Sequence, residues 1–481
     1  MSGIVWFRRD LRLSDNPAFH ESLAQGPVVA VFILPEEGAQ SVAPGAAARW
    51  WLHHSLAALD AALRARGGRL ILRRGEPLST LRTLVRETGA TRVSWNLLYD
   101  PHSVARDTAI KTALREDGLT VRSHNAALWF EPWQLTKHDG EPYRVFTPYW
   151  KAALRAGLPQ DTLPAPERLP PPPIWPDSLP LARLDLEPRI PWDRAMRTLW
   201  QPGEAGAWAA LQAFLPRIDA YHEQRDRMDR PGTSRLSPHL AFGEIGPRQI
   251  LATLQGQLPH DPLDGQGSAH FLRELGWREF SFSLLHHFPH LPETPLDERF
   301  ERLPWREDSA QLAAWQRGQT GIPIIDAALR ELWTTGWMHN RARMLAASFL
   351  SKNLLIDWRA GERWFRDTLL DADWANNVQG WQWTAGCGAD AAPYFRLFNP
   401  VLQARKFDPE GHYTRRWVPE LAALPTRDIH APWEASPAVR QAAGLVLGRD
   451  YPHPIVDLAI TRERALAAFA RLREPDRSPT P

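Results

Sequence analysis

Pro27-Val28-Val29-Ala30-Val31-Phe32-Ile33-Leu34 is an unbroken apolar run of strand length. It is far too short to cross a bilayer and reads as a buried strand. Working outward, residues 3–7 read as a strand before it, and residues 69–73 (RLILR), 91–96 and 119–123 as three more after it. Between them lie helical patterns such as residues 49–66, where Leu52, Leu56, Leu59 and Leu63 recur at helical spacing. Strands alternating with helices predict an α/β domain over residues 1–130, a parallel sheet flanked by helices on both faces.

The texture then changes. Residues 160–192 hold Pro164, Pro166, the run 170–173 and four further prolines. Proline lacks a donor and fixes φ, so neither helix nor central strand is expected. Residues 131–203 read as an interdomain connector draped over the surface. From Glu204 the pattern is helical: Ile322, Ile325, Leu329 and Leu332 repeat at helical spacing with Gly336 as the stop, and residues 271–287, 441–448 and 461–473 read likewise. This predicts a larger all-α domain over 204–473 and a frayed tail over 474–481.

Bulk composition narrows the function classes. Fifty-seven basic and 55 acidic residues leave a formal charge of +2, so a nucleic-acid partner requires arginines concentrated on one face. The single cysteine, Cys387, excludes an internal disulfide and CxxC-type zinc sites. No stretch has the pattern of a signal peptide, and a soluble, cytoplasmic protein is expected. The outlier is tryptophan, with 23 copies. Core filler accounts for most; stacked bases, an aromatic cofactor or electron traffic would account for others.

Gly386, Gly388 and Ala391 fit G-x-G-x-x-A, but no strand precedes them and Pro393 breaks the helix that should follow, so the dinucleotide reading is rejected. The pairs His53–His54 and His286–His287 lack metal-ligand spacing, and no metal is expected. Tyr221-x-x-x-Arg225 followed by Gly232-Thr233-Ser234-Arg235-Leu236-Ser237-Pro238 reads as a helix start. Its amides and hydroxyls suit a phosphate; an ordinary N-cap is the plainer alternative. Glu274, Trp277 and Arg278, at i, i+3 and i+4, share a helix face, either a solvated ion pair beside a core indole or a base-reading surface. Asn340, Arg341 and Met344, after Trp337, form a second such face. Asp371-Ala372-Asp373-Trp374-Ala375-Asn376-Asn377 and Gly380-Trp381-Gln382-Trp383 suggest a buried polar site, with Arg343 the candidate partner for the carboxylates.

Through these segments the chain resembles the photolyase/cryptochrome family. The matching stretches are VWFRRDLR from Val5, GTSRLSPHLAFGEI from Gly232, GWREF from Gly276, TGWMHNRARM from Thr335, DADWANN from Asp371, GWQW from Gly380 and YPHPIVD from Tyr451. They cover nearly the whole chain. The resemblance implies a folded-up FAD in the helical domain. Tyr221, Thr233, Ser234, Arg235, Leu236 and Ser237 would hold its phosphates and ribose. Arg343 and Asp371 would pair beside the ring, with Ala372 adjoining; Asp373 would meet the ring's polar edge and Asn377 its N5, where plant cryptochromes carry an acid. Phe271, Glu274, Arg278, Trp337 and Asn340 complete the cofactor set, Phe271 standing where many relatives have tryptophan.

The implied substrate is a cyclobutane pyrimidine dimer flipped out of UV-damaged DNA. Trp277 and Trp383 would wall it, Glu274 and Asn340 would hydrogen-bond its edges, and Met344 would line the pocket. The histidines that (6-4) enzymes carry at the Asn340 and Met344 positions are absent. Arg225, Arg278 and Arg341 match DNA-contacting positions. Trp381, Trp358 and Trp305 match the family's electron-transfer chain, whereas Trp315, Trp333 and Trp364 read as core. A methenyltetrahydrofolate antenna is expected, with a deazaflavin as the alternative; Ser103 departs from the acid of some folate binders, and Trp50 and Trp51 offer a stacking surface. The implied enzyme is a monomeric photolyase without an obligate protein partner. The rivals are a signalling cryptochrome and a tryptophan-rich DNA-binding protein with no cofactor.

Overall fold

Alternation along β1 (Gly3–Phe7) sets the layers of the α/β portion. Val5 and Phe7 enter one core with Phe32, Leu52 and Leu56, while Ile4 and Trp6 enter another with Val31, Ile71 and Trp95. Side chains of successive strand residues point to opposite faces, so a strand apolar at every position must be covered twice. In the computed structural model, which describes residues 2–36, 44–391 and 396–472, β2 (Val28–Leu34), β3 (Leu70–Arg74), β4 (Arg92–Asn96) and β5 (Thr120–His124) join β1 in an all-parallel sheet of order β3-β2-β1-β4-β5. The five expected strands are present, shifted by a residue at some ends. Helices Pro17–Ala24, Ala46–Arg64, Pro77–Thr88 and Pro101–Glu116 make the crossovers.

The described residues fall into two compact units. The first comprises those of Met1–Asp219, Ser234–Pro289 and Leu370–Ala375; the second those of Ala220–Thr233, His290–Leu369 and Asn376–Pro481. The proline-rich segment belongs to the first and is mostly exposed, as a surface drape implies, while a few of its apolar residues anchor it. Leu184 and Leu186 are buried in the sheet's core, with Leu169, Leu179 and Trp192 packed on it. The segment also holds a short 3-10 turn, Leu181–Leu184. It covers the β3 edge: Leu179 N–H donates to Leu72 O at 2.9 Å and Ser178 Oγ accepts from Leu72 N at 2.9 Å. An edge strand's unpaired groups are thus satisfied by a chain whose prolines cannot extend the sheet.

In the second unit the Pro323–Thr335 helix ends where expected, on Gly336 with φ +68°, whose N–H donates to Leu332 O at 2.8 Å. Asp326, fully buried in its first turn, accepts from Thr320 N and Oγ1, Gly321 N and the Tyr451 hydroxyl. That set satisfies a carboxylate that would otherwise be costly to bury. Residues 441–448 are not a helix: Pro437–Ala442 is, and Leu447 then bridges to Tyr451. Gly444, at φ +67°, ends the helical backbone early. The last helix is Leu458–Arg471; residue 473 and the expected tail at 474–481 lie outside the described residues.

Candidate functional site

In the first unit the Gln266–His287 helix carries Phe271, Glu274, Trp277 and Arg278. Gly276 lets it pack closely, since a Cβ there would lie 2.5 Å from Trp150 Cε3. Trp277 stacks on Phe146 with centroids 3.8 Å apart and planes 10° apart, so one face of its indole is fixed. Glu274 lies 3.7 Å from His270. Arg278 donates to Ala127 O at 2.8 Å, and Phe271 is buried against Phe214. Sequence reasoning passed over Glu279. It is fully buried, its Oε2 accepts from Trp129 N at 2.9 Å and Phe130 N at 3.3 Å, and burial pushes its pKa up to about 8 although Arg278 opposes this. The available signal was position: Leu272, Leu275 and Glu279 share the buried helix face.

Ser234, Arg235 and Leu236 lead into the Ser237–Ala241 helix, which has Pro238 in its first turn. Arg235 is exposed at φ +56°, its guanidinium 5.7 Å from the Trp200 ring. Asp371 is buried; Ala372 and Asp373 are half-buried, and Asp373 N–H donates to Asp371 O at 2.9 Å. Trp50 and Trp51 form no stacking surface. Both are core, with their indole N–H groups donating to Asp193 and Glu244 at 2.9 Å. Glu244 also holds His239 Nδ1.

In the second unit Tyr221 is buried, and the guanidinium of Arg225 lies 5.6 Å from its ring. The turn leading to Thr233 requires glycine, because a Cβ on Gly232 would meet Gln224 O at 2.3 Å. Trp337 is buried ahead of the Asn340–Ser348 helix. Asn340 is exposed, its amide 3.9 Å from Met344 Sδ, so the expected face is formed. Arg343 Nε donates to Met338 O at 2.8 Å. Arg341 is no loose cation: it pairs with Asp226 at 2.6 Å and lies over Phe407 at 4.4 Å. His339, also passed over, caps this helix. Its Nδ1 accepts from Arg341 N–H at 3.1 Å, and burial pushes its pKa down to about 4.

The three tryptophans run from buried to half-buried: Trp381 and Trp358 are 2% and 1% exposed, and Trp305 is half-buried. Gly361, on the Trp358–Thr368 helix, lies under the Trp381 ring; a Cβ there would fall 2.0 Å from Cη2. Gly361 is three residues beyond Trp358 and shares its face. Arg306, next to Trp305, donates its N–H to Leu355 O at 2.7 Å, tying Trp305 to the entry of the same helix. Trp315 is core as expected, but Trp333 is 61% exposed, lying parallel to Trp364 with centroids 5.8 Å apart.

Asn377 Nδ2 donates to Glu362 Oε1 at 3.0 Å and to Glu362 O at 3.1 Å. Its carbonyl oxygen is thereby turned to meet a donor. Burial raises the Glu362 pKa, against the pull of Arg366. Trp383 Nε1 donates to Asp390 O at 3.1 Å. The buried Gln382 between Trp381 and Trp383 locks the segment, accepting from Leu296 N and donating to Leu291 O and Thr294 O. Glu362 and Gln382 carried no signal beyond their neighbours. Gly386 follows the Trp374–Ala385 helix directly, and its N–H donates to Gln382 O at 3.0 Å.

Residues 3–171 match the family model described as DNA photolyase, and residues 271–471 that of the FAD binding domain of DNA photolyase. The chain is 48% identical over 475 residues to a deoxyribodipyrimidine photo-lyase of Agrobacterium fabrum, covering 98% of each. It is 41% identical to Cryptochrome-2 of Arabidopsis thaliana, covering 98% of this chain and 79% of that one. The crystal structure of a bacterial class III photolyase from Agrobacterium tumefaciens superposes with a TM-score of 0.94 at 48% identity, covering 98% of both chains.

Proposed function

The chain belongs to the photolyase/cryptochrome family, and from that membership we propose that it is a light-dependent lyase that splits cyclobutane pyrimidine dimers in UV-damaged DNA. The observation that carries this is the full-length match, at 48% identity, to a deoxyribodipyrimidine photo-lyase. The cofactor is FAD, in keeping with the FAD-binding domain over residues 271–471. When bound and reduced, FAD supplies the electron that blue light promotes and that returns once the cyclobutane ring has opened.

The protein's part is binding, orientation and electrostatics. Tyr221 and Thr233, Ser234, Arg235, Leu236 and Ser237 would hold the phosphates and ribose, and Phe271, Trp337, Arg343, Asp371, Ala372 and Asp373 would serve the ring. The Asn377 amide fits a reduced flavin: with its NH2 committed to Glu362, its oxygen offers an acceptor, which suits a ring nitrogen carrying hydrogen. Trp277, braced by Phe146, and Trp383 wall the flipped dimer. Glu274 and Asn340 stabilise charge developing on the dimer, and Met344 closes the pocket. Trp305, Trp358 and Trp381 would be the chain along which an electron could reach the bound cofactor.

Methenyltetrahydrofolate is the proposed antenna, in the α/β portion but away from the buried Trp50 and Trp51; a deazaflavin is the alternative. A soluble, cytoplasmic monomer acting without a protein partner completes the reading. No described helix is long and apolar enough to cross a membrane.

The test is direct. Protein carrying reduced FAD, given blue light, is expected to restore thymines in DNA bearing cyclobutane dimers and to leave (6-4) products intact. Intact dimers under those conditions would hand the case to a signalling cryptochrome, the reading favoured by the 41% identity to Cryptochrome-2.

A further inference from the structure

Arg341 is one of three residues proposed to meet DNA phosphates, yet its Nη2 is already paired with a carboxylate. Nη2 lies 2.6 Å from Asp226 Oδ2, with the two side chains 17% and 34% exposed. Its guanidinium sits 4.4 Å from the Phe407 ring centroid, with Lys406 Nζ 5.2 Å from the same ring. Beside the pair opens a pocket of about 490 Å³, whose lining includes Asp226, Arg341, Arg396, Lys406 and Phe407. Three cations thus face one carboxylate across a surface with an aromatic floor. Asn340, the residue before Arg341, is the proposed hydrogen-bonding partner of the dimer, so a phosphate beside a flipped dimer would arrive near this fork.

We propose that Asp226 is an internal stand-in for a DNA phosphate, which occupies Arg341 until a damaged site displaces it and so lowers affinity for undamaged DNA. The inference rests on the DNA-repair reading above. Its physical basis is an exchange. An unoccupied arginine gains a full contact from any passing phosphate, releasing a counterion whatever the sequence or lesion. An arginine already paired gains only the difference between two anions, so random backbone earns little from it. A flipped dimer, anchored one residue away, holds a phosphate at the fork long enough to complete the exchange. His339, whose ring nitrogen accepts the Arg341 amide hydrogen, fixes the helix end on which this happens.

The test compares wild type, Asp226→Asn, Arg341→Ala and the double variant, all loaded with FAD. Each is titrated with undamaged duplex and with the same duplex carrying one cyclobutane dimer, over a range of salt. Asp226→Asn is expected to tighten undamaged binding by about 3- to 10-fold near 0.1 M salt and to steepen log K against log[salt] by about 0.9, one added phosphate contact. Binding to the damaged duplex should tighten less, so discrimination falls. In the Arg341→Ala background the same change should do nothing. An unchanged salt slope in Asp226→Asn, or an equal gain in the absence of Arg341, would overturn the proposal. A merely structural Asp226 would alter thermal stability without moving the slope. Wild type that repairs dimers while Asp226→Asn behaves identically defeats this inference alone; wild type that repairs nothing defeats the reading beneath it.

Discussion

At the scale of single residues, two buried titratable groups pull stability in opposite directions with pH. His339 has its folded pKa pushed to about 4 by burial, with Asp226 opposing and Arg341, Arg225 and Arg343 assisting. The neutral ring is the form that accepts the Arg341 amide hydrogen. Between about 6.5 and 4 the unfolded chain holds the extra proton, so this contribution is complete above pH 6.5, falls as pH drops and is gone below 4. Its ceiling is about 3 kcal/mol. Glu279 is the converse: with a folded pKa near 8, its contribution is complete below about 4.5 and is lost as pH rises through 8. Urea unfolding at about pH 7 and about pH 5.5 separates them. His339→Asn retains a capping acceptor but no titrating ring, and its stability should lose less than wild type on acidification. Glu279→Gln, which mimics the protonated form, should match wild type most closely below about pH 4.5 and be more stable than wild type at pH 7, where folding of the native sequence must take up a proton. An Asn variant with the wild-type pH slope would show that His339 is not held neutral.

At the scale of elements, the Trp358–Thr368 helix is a support for Trp381. A Cβ on Gly361 would fall 2.0 Å from the indole, and neither the helix backbone nor a buried ring moves cheaply. Gly361→Ala should therefore cost about 1–3 kcal/mol by overpacking and slow photoreduction of oxidised flavin, while chemically reduced protein still repairs; photoreduction at the wild-type rate would show that Trp381 is not on the electron route. This contact also marks how far the sequence could be read. The strands were legible because apolar runs and alternating helices leave one solution, and the Pro323–Thr335 helix because its periodicity ends on Gly336. Residues 441–448 misled because their apolar spacing says nothing of the left-handed turn at Gly444. The connector's surface path was legible from its prolines, but proline content did not report the anchoring of intervening leucines such as Leu184 and Leu186. The proposed site residues stand out in the sequence only as members of matching motifs, and their structural partners do not stand out at all. Glu362 lies on the helix before Asn377, and Asp226 on Arg341 and Phe146 on Trp277 come from distant stretches; pairing between separate elements leaves no periodic trace.

At the scale of the whole molecule, 57 basic and 55 acidic residues cancel almost completely, so long-range attraction to DNA is weak and affinity must come from a few placed contacts. Arg225, Arg278 and Arg341 are the proposed set. Three phosphate contacts predict a slope of log K against log[salt] of about −2.7 on dimer-containing duplex, where a strongly basic binder would approach −10. On undamaged duplex the Asp226–Arg341 pair removes one contact and the slope should relax to about −1.8. The lesion adds an uncharged term as well. Trp277, held flat against Phe146, is the proposed stacking partner of one base of the dimer through its other face, and Trp277→Ala should cost about 1–3 kcal/mol of dimer affinity. That loss should be the same at low and high salt, because stacking releases no counterions, whereas Arg225→Ala should flatten the slope by about one contact. Measuring both variants on both duplexes separates charge from stacking. If Trp277→Ala changes the salt slope, or Arg225→Ala leaves it untouched, then the phosphates and the lesion are held by residues other than those assigned to them.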